Sequence, residues 1–278
     1  MGKWNYGISC AEVTPMTAPL PLEGDLYDCM EKAASYGYQG VEFHTRESYK
    51  FDLEKIKSIG ETSGAKICCI ASGRLYTQGG HGLLDENAES EKAAISGMHQ
   101  YIDMASDIGA DVVIGWAKGT VPPQGDRKIY LDRLAENLRK LDAYAGQKGT
   151  RLLLEVINHY ETNIFNMAEE TLAFIEKHRL ENCYIHLDTY HMNMEEFNPY
   201  QAIRICGRKL GYFHVADNSR RYPGSGQLDF KRVFETLDEM GYDGWVTVEC
   251  LLYPDRDTAA QKAICYLKAC EQAKYSEK

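Results

Sequence analysis

Short apolar runs alternate with longer amphipathic segments along the whole chain. Runs rich in Val, Ile, Leu and Tyr predict strands at Tyr6–Cys10, Gly40–Phe43, Lys66–Ile70, Asp111–Ile114, Arg151–Glu155, Tyr184–Leu187, Leu210–His214 and Trp245–Glu249. Between them, apolar residues recur at helical spacing. This predicts helices at Asp25–Tyr36, Asp52–Ser63, Asn87–Ile108, Arg127–Lys148, Met167–Lys177, Pro199–Cys206, Asp229–Met240 and Thr258–Ala273. Gly37, Gly64, Gly109, Gly149 and Gly241 each follow a helix, where glycine takes the left-handed stop conformation at no steric cost. Eight strand–helix alternations without a Pro/Ser-rich linker predict one α/β domain over residues 1–278, closed as a (β/α)8 barrel. A doubly wound sheet is the second choice.

The irregular residues are unevenly placed. The longest connections, Ala71–Glu86, Gly115–Asp126, Asn158–Asn166 and Val215–Leu228, all follow strands, whereas the helix-to-strand links are short. In a barrel the loops after the strands form the active face.

Four strand ends on that face carry candidate ligands. They are Glu155 in LLLE, Asp188 in HLD, His214 in GYFH and Glu249 in VTVE. Their spacings, about 33, 26 and 35 residues, are each close to one βα unit of roughly 30 residues. Alone, a strand-end acid is as often a salt-bridge partner, and a histidine after GYF is a hydrogen-bonded core residue. In this rhythm, successive parallel strands aim three carboxylates and one imidazole at one point. That donor set suits one divalent cation, Mn²⁺ first, with Mg²⁺ or Co²⁺ as alternatives. A cation chelating a carbonyl and the neighbouring hydroxyl stabilises an enediolate, so the proton on the intervening carbon can be removed. Glu155 and Glu249, one on each side, would then take that proton and return it to the opposite face. A single base moving a proton between adjacent carbons would instead give aldose–ketose isomerisation.

The bulk numbers remove other classes. The chain has 278 residues, a net charge of −10 and a pI near 5.3, so a nucleic-acid partner is disfavoured. Nine cysteines form no CxxC pair, which fits buried thiols in a reducing cytoplasm. The start, MGKWNYGISC, has no apolar leader, and no run reaches the ~18 apolar residues of a membrane span.

The segments LEVINHYE, LDTYHMNMEE, GYFHVADNSRRYPGSGQLDF and GYDGWVTVE resemble the xylose-isomerase-like barrel superfamily. Within it they are most similar to the D-tagatose/D-allulose 3-epimerase branch. The resemblance is strong from Leu152 to Leu251 and architectural before that. It implies a (β/α)8 barrel, a divalent metal, a keto-sugar substrate, and homodimers or homotetramers. Position by position, it implies Glu155, Asp188, His214 and Glu249 as metal ligands, and Glu155 and Glu249 as the proton-transfer pair. It further implies Glu161, His191 and Arg220 as substrate contacts. Ala216 and Asp217 stand where ketohexose 3-epimerases carry Gly-Glu, and Arg220 is followed by Arg221. That wording fits the wider part of the family, which includes epimerases of keto-sugar acids.

Trp116 and Tyr6 are further candidate walls of a substrate pocket, each with a scaffold role as the alternative. Gly224–Ser225–Gly226 could offer backbone N–H groups to a phosphate, although PGSG is also ordinary turn chemistry. Thr77–Gly82, TQGGHG, has the composition of a lid or a loop tip. The expected function is inversion of a carbon next to a ketone, C3 of a ketose first. The alternatives are an aldose–ketose isomerase, an epimerase of a keto-sugar acid or sugar phosphate, an abasic-site endonuclease, and a non-catalytic sugar-binding barrel.

Overall fold

The structure is a computed structural model and describes residues 3–276. Eight parallel strands form the barrel: β1 (Asn5–Ala11), β2 (Gly40–His44), β3 (Lys66–Ala71), β4 (Asp111–Ile114), β5 (Leu152–Glu155), β6 (Cys183–Asp188), β7 (Leu210–Val215) and β8 (Trp245–Val248). Each pairs with the next, and β1 closes onto β8 with Gly7 opposite Thr247. Closure replaces the doubly wound alternative. The glycine at this seam is required, because a Cβ on Gly7 would lie 2.5 Å from the Thr247 hydroxyl.

One long helix follows each strand: α1 (Leu26–Tyr36), α2 (Leu53–Ser63), α3 (Ala88–Ile108), α4 (Arg127–Lys148), α5 (Ala168–His178), α6 (Pro199–Cys206), α7 (Phe230–Glu239) and α8 (Arg256–Ser276). Side-chain oxygens of Asp25, Asp52, Asn87, Asp126, Asn198 and Asp229 accept from backbone N–H groups in the first turns. The five glycines expected as helix stops all have left-handed φ. The main differences lie in the loops. A short helix, Gly73–Thr77, interrupts the expected connection after β3, and another, Thr189–Glu195, starts directly after Asp188.

Strand periodicity decides which side chains reach the site. Successive residues point to opposite faces of a strand. Outward residues such as Ile8, Val41, Leu154 and Val246 pack against the helices in the main core. Inward residues stack in layers inside the barrel. The lower layers hold Cys68, Leu153 and Tyr212, with the Thr247 hydroxyl donating to Tyr212 Oη at 2.7 Å. The layers at the strand C-termini are polar and charged.

Tyr6 falls on the outward face, which corrects its expected place in the pocket wall. Its ring packs edge-on to Phe234, and its hydroxyl lies 3.1 Å from Glu271 Oε2 under the helical layer. The alternation that turns Gly7 and Ser9 inward turns Tyr6 away from the pocket.

Candidate active site

Glu155, Asp188, His214 and Glu249 are all buried at the C-terminal mouth of the barrel. One ligand atom from each lies within 4.8 Å of the others. Asp188 also caps the short helix behind it, its Oδ1 accepting from Tyr190 N at 2.8 Å. Its Oδ2 faces the cluster, ion-paired with Arg220 Nη1 at 3.3 Å but without a hydrogen bond; among the described residues His214 Nδ1 has no hydrogen-bond partner either. Orphaned buried polar atoms are costly and call for a ligand. An oxygen-rich set with one imidazole, whose Nδ1 has no hydrogen bond, fits a divalent cation.

The imidazole is oriented from behind. His214 Nε2 lies 2.8 Å from Glu42 Oε2, and a carboxylate only accepts, so Nε2 carries the donated proton. In the neutral ring, Nδ1 then offers its lone pair to the cluster, the arrangement that holds metal-ligating histidines. Glu42 Oε1 meets His44 Nε2 at 2.7 Å, and the Ser9 hydroxyl donates to it at 3.3 Å.

The two proton-transfer candidates sit in opposite electrostatic settings. Burial, reinforced by the neighbouring Glu249 charge, pushes the Glu155 carboxyl up to about 8. Burial also opposes charge on Glu249, but the Arg220 guanidinium and His214 outweigh it and hold the group down at about 2. His214 is raised well above the usual imidazole range by Glu42 and Glu249, against the effect of burial.

Two neighbours make room for Glu155 and hold it. A Cβ on Gly115 would lie 2.3 Å from Glu155 Oε2, so a side chain after β4 would push the Glu155 carboxylate out of its present position. Lys118, fully buried, donates from Nζ to Gly115 O at 3.0 Å and to Glu155 O at 3.1 Å. It clamps the ends of β4 and β5 together, and burial lowers its pKa to about 8.

A cavity of about 710 Å³ opens over the cluster. Glu161, His191, Arg220 and Trp116 all line it. Asn158 bridges two of them, donating from Nδ2 to Glu161 Oε1 at 2.8 Å and contacting His191 Nδ1 at 2.7 Å. Arg220 lies over the Tyr190 ring, pairs with Glu249, and places Nη1 3.3 Å from Asp188 Oδ2. Its backbone is left-handed, φ 56°, an uncommon conformation for a residue with a side chain. Arg221 points elsewhere, with its guanidinium stacked 3.9 Å from the Tyr253 ring centroid.

The glycine loop does not present free amides. Asp217 Oδ2 accepts from Gly224 N and Gly226 N, both at 2.9 Å, and Oδ1 accepts from Asn218 N. The expected phosphate cradle is filled by the protein's own carboxylate. The departure at Ala216–Asp217 is thereby explained as an internal loop clamp.

Glu42, His44, Lys118 and His186 escaped the sequence reading. Glu42 was legible in principle, because GVEFH places an acid inside an apolar strand, where it needs a partner. His186 lies two residues before Asp188 and therefore on the same inward face, 4.1 Å from His214 between ring centroids. Lys118 carries no local signal; its role is set by loop geometry.

Fold and site together define a barrel enzyme with a buried cation-type cluster beneath an open polar cavity. The family model described as a xylose isomerase-like TIM barrel matches residues 30–270, and the chain belongs to that family. Among curated relatives, the ketose 3-epimerase of Arthrobacter globiformis is 30% identical over 242 residues, 84% of this chain and 80% of the relative. The L-ribulose 3-epimerase of Methylomonas sp. is 29% identical over 240 residues, 84% of this chain and 81% of the relative. A solved structure, the 3-keto-D-glucoside 4-epimerase of E. coli, superposes with a TM-score of 0.81 at 24% identity, covering 96% of this chain and all of that one. With epimerases as its relatives, the chain is an isomerase-class enzyme. Among the described residues, no helix is long and apolar enough to cross a membrane.

Proposed function

We propose that the protein is a divalent-metal-dependent keto-sugar epimerase that inverts the carbon next to a ketone. The observation that carries this reading is the convergence of Glu155, Asp188, His214 and Glu249 beneath the open cavity. These four residues would hold the cation, Mn²⁺ by the donor set. Bound there, it supplies Lewis-acid polarisation of a ketone and its neighbouring hydroxyl, which acidifies the carbon between them.

The rest of the chemistry belongs to the chain. Glu155 and Glu249 converge from β5 and from the end of β8, so a sugar carbon between them meets one carboxylate on each face. One removes the proton and the other delivers one to the opposite face. His191 and Arg220 line the cavity beside the pair and orient substrate oxygens, while Glu161 accepts from a sugar hydroxyl. Trp116, partly exposed at the rim, supplies an aromatic wall.

The test is proton–deuterium exchange on a panel of keto-sugars with Mn²⁺-loaded protein in D₂O. The reading requires label at one carbon together with the inverted product. Carbonyl migration without inversion would instead make the enzyme an aldose–ketose isomerase.

A further inference from the structure

Arg220 reaches the site from an unusual backbone. At φ 56° it is left-handed, a conformation that a residue with a side chain keeps only where its surroundings hold it. Two backbone contacts grip it. Arg220 N donates to Asp217 O at 2.8 Å, and Arg220 O accepts from Leu251 N at 2.7 Å. Asp217 N donates to Arg221 O, also at 2.8 Å, and closes the same turn. The turn that carries Arg220 is thus anchored at Asp217.

The side chain of that anchor holds the rest of the loop. Asp217 is fully buried, and its carboxylate accepts from four backbone N–H groups. Asn218 N at 2.9 Å and Leu228 N at 3.2 Å donate to Oδ1, and Gly224 N and Gly226 N, both at 2.9 Å, donate to Oδ2. One carboxylate therefore ties the outgoing arm of the loop, at Asn218, to the returning arm at Gly224–Leu228. The turn with Arg220 lies between them. A Cβ on Gly226 would lie 2.3 Å from Asp217 Oδ1, so the loop closes tightly over the carboxylate. Hydrogen bonds to an ionised acceptor are the strong kind, and an amide in its place has only one acceptor oxygen.

The turn delivers a guanidinium. It lies 4.6 Å from the Tyr190 ring centroid and pairs with Glu249. Its Nη1 stands 3.3 Å from Asp188 Oδ2 and 3.2 Å from His191 Nε2. Relaxation of Arg220 to a negative φ would swing the side chain out of this arrangement.

We propose that Asp217 is a positioning residue of the active site: its four N–H contacts keep Arg220 in the left-handed backbone that brings the guanidinium to the substrate. Asp217 itself touches no substrate. The inference rests on the epimerase reading above, in which Arg220 orients a substrate oxygen.

The experiment joins kinetics to a direct view of the arginine. Using the keto-sugar that the parent exchanges fastest, kcat and KM are measured on Mn²⁺-loaded parent, Asp217→Asn, Arg220→Lys and the double variant. Asp217→Asn is expected to lower kcat/KM by up to roughly 100-fold, the cost of misplacing a contact by about an ångström. Arg220→Lys keeps the charge and loses the planar fork. The double variant is expected within about threefold of Arg220→Lys alone, because independent losses multiply and losses through one group do not. If Asp217→Asn does not fold, Gly226→Ala, whose methyl presses on Asp217 Oδ1, takes its place. The guanidinium NMR signal of Arg220, identified by its disappearance in Arg220→Lys, reports position without turnover and should shift or broaden in the Asp217 variant. A double variant at the product of the two single losses, or an unchanged Arg220 signal, overturns the positioning role and confines Asp217 to the fold. A parent protein that inverts no sugar removes the epimerase reading, and the NMR signal then decides by itself whether Asp217 places Arg220.

Discussion

Glu42 and His214, 172 residues apart in the chain, meet at 2.8 Å inside the barrel. The contact joins β2 to β7 through a carboxylate on one and the imidazole ligand candidate on the other. It fixes both the ring orientation and the nitrogen that faces the cluster. Glu42→Gln is therefore expected to weaken metal binding by roughly 10–100-fold, the usual cost of losing such a partner. Competitive titration of Mn²⁺ against a chelating dye checks this. An unchanged affinity would mean that His214 is oriented by packing alone.

Glu155→Gln tests the proton-transfer pair. The amide preserves volume and removes the base, so exchange should fall by roughly 10²–10⁴, the range general acid–base catalysis supplies. The melting temperature of the metal-free variant should not drop, because the neutral amide removes a carboxylate that burial disfavours. Near-full turnover after metal loading would remove Glu155 from the mechanism.

Lys118→Met separates support from chemistry. It removes the buried Nζ donor from Glu155 O, at about 1–3 kcal/mol by the usual cost of an unsatisfied group, while Gly115 O keeps the Lys118 backbone N–H at 3.3 Å. Because the clamp holds the backbone of Glu155, kcat should fall while KM for the keto-sugar changes little. Parallel measurement of kcat, KM and the melting temperature checks the split. A loss of stability with kcat intact would make Lys118 purely structural.

Much of this site could be read along the chain because barrel geometry is periodic. Glu155, Asp188, His214 and Glu249 end consecutive strands, so one spacing carried all four, and the structure brings them together. The same strand logic resolves at single-residue precision, which is where Tyr6 was lost: one position along β1 separates the inward Gly7 from the outward Tyr6. The Asp217 clamp and the short helix after Asp188 depend on how loops fold back, which no periodicity encodes. Glu42 falls between these cases, since its burial is legible but its partner lies across the barrel.

Tyr6→Phe follows from that correction. It deletes the hydroxyl contact to Glu271 and should cost about 0.5–1.5 kcal/mol of stability, the net worth of one hydrogen bond. Kinetic constants should match those of the parent protein. A shift in KM without a change in melting temperature would put the ring back in the pocket.

Metal uptake should expel protons. Without metal, Glu155 keeps its proton up to about pH 8, and His214 is likewise raised above its ordinary range. Both must lose a proton to act as ligands. Below pH 8, apparent affinity should therefore rise with pH, by up to roughly tenfold per unit for each proton displaced. Calorimetric titrations of Mn²⁺ at pH 7 in two buffers of different ionisation enthalpy give the proton count directly, with about one to two expected. The sign for stability runs the same way. A group whose pKa is raised on folding stabilises the fold below its unfolded pKa and loses that contribution as pH climbs through its folded value. The metal-free protein should then melt lower at pH 8.5 than at pH 6, and Mn²⁺ should narrow the difference. Glu42 and Glu249, both lowered, act in the acid range, where their contribution disappears as pH falls below the ordinary carboxylate value. A metal-free melting temperature that is flat from pH 6 to 8.5, with no protons released on binding, would mean that Glu155 enters the site already ionised.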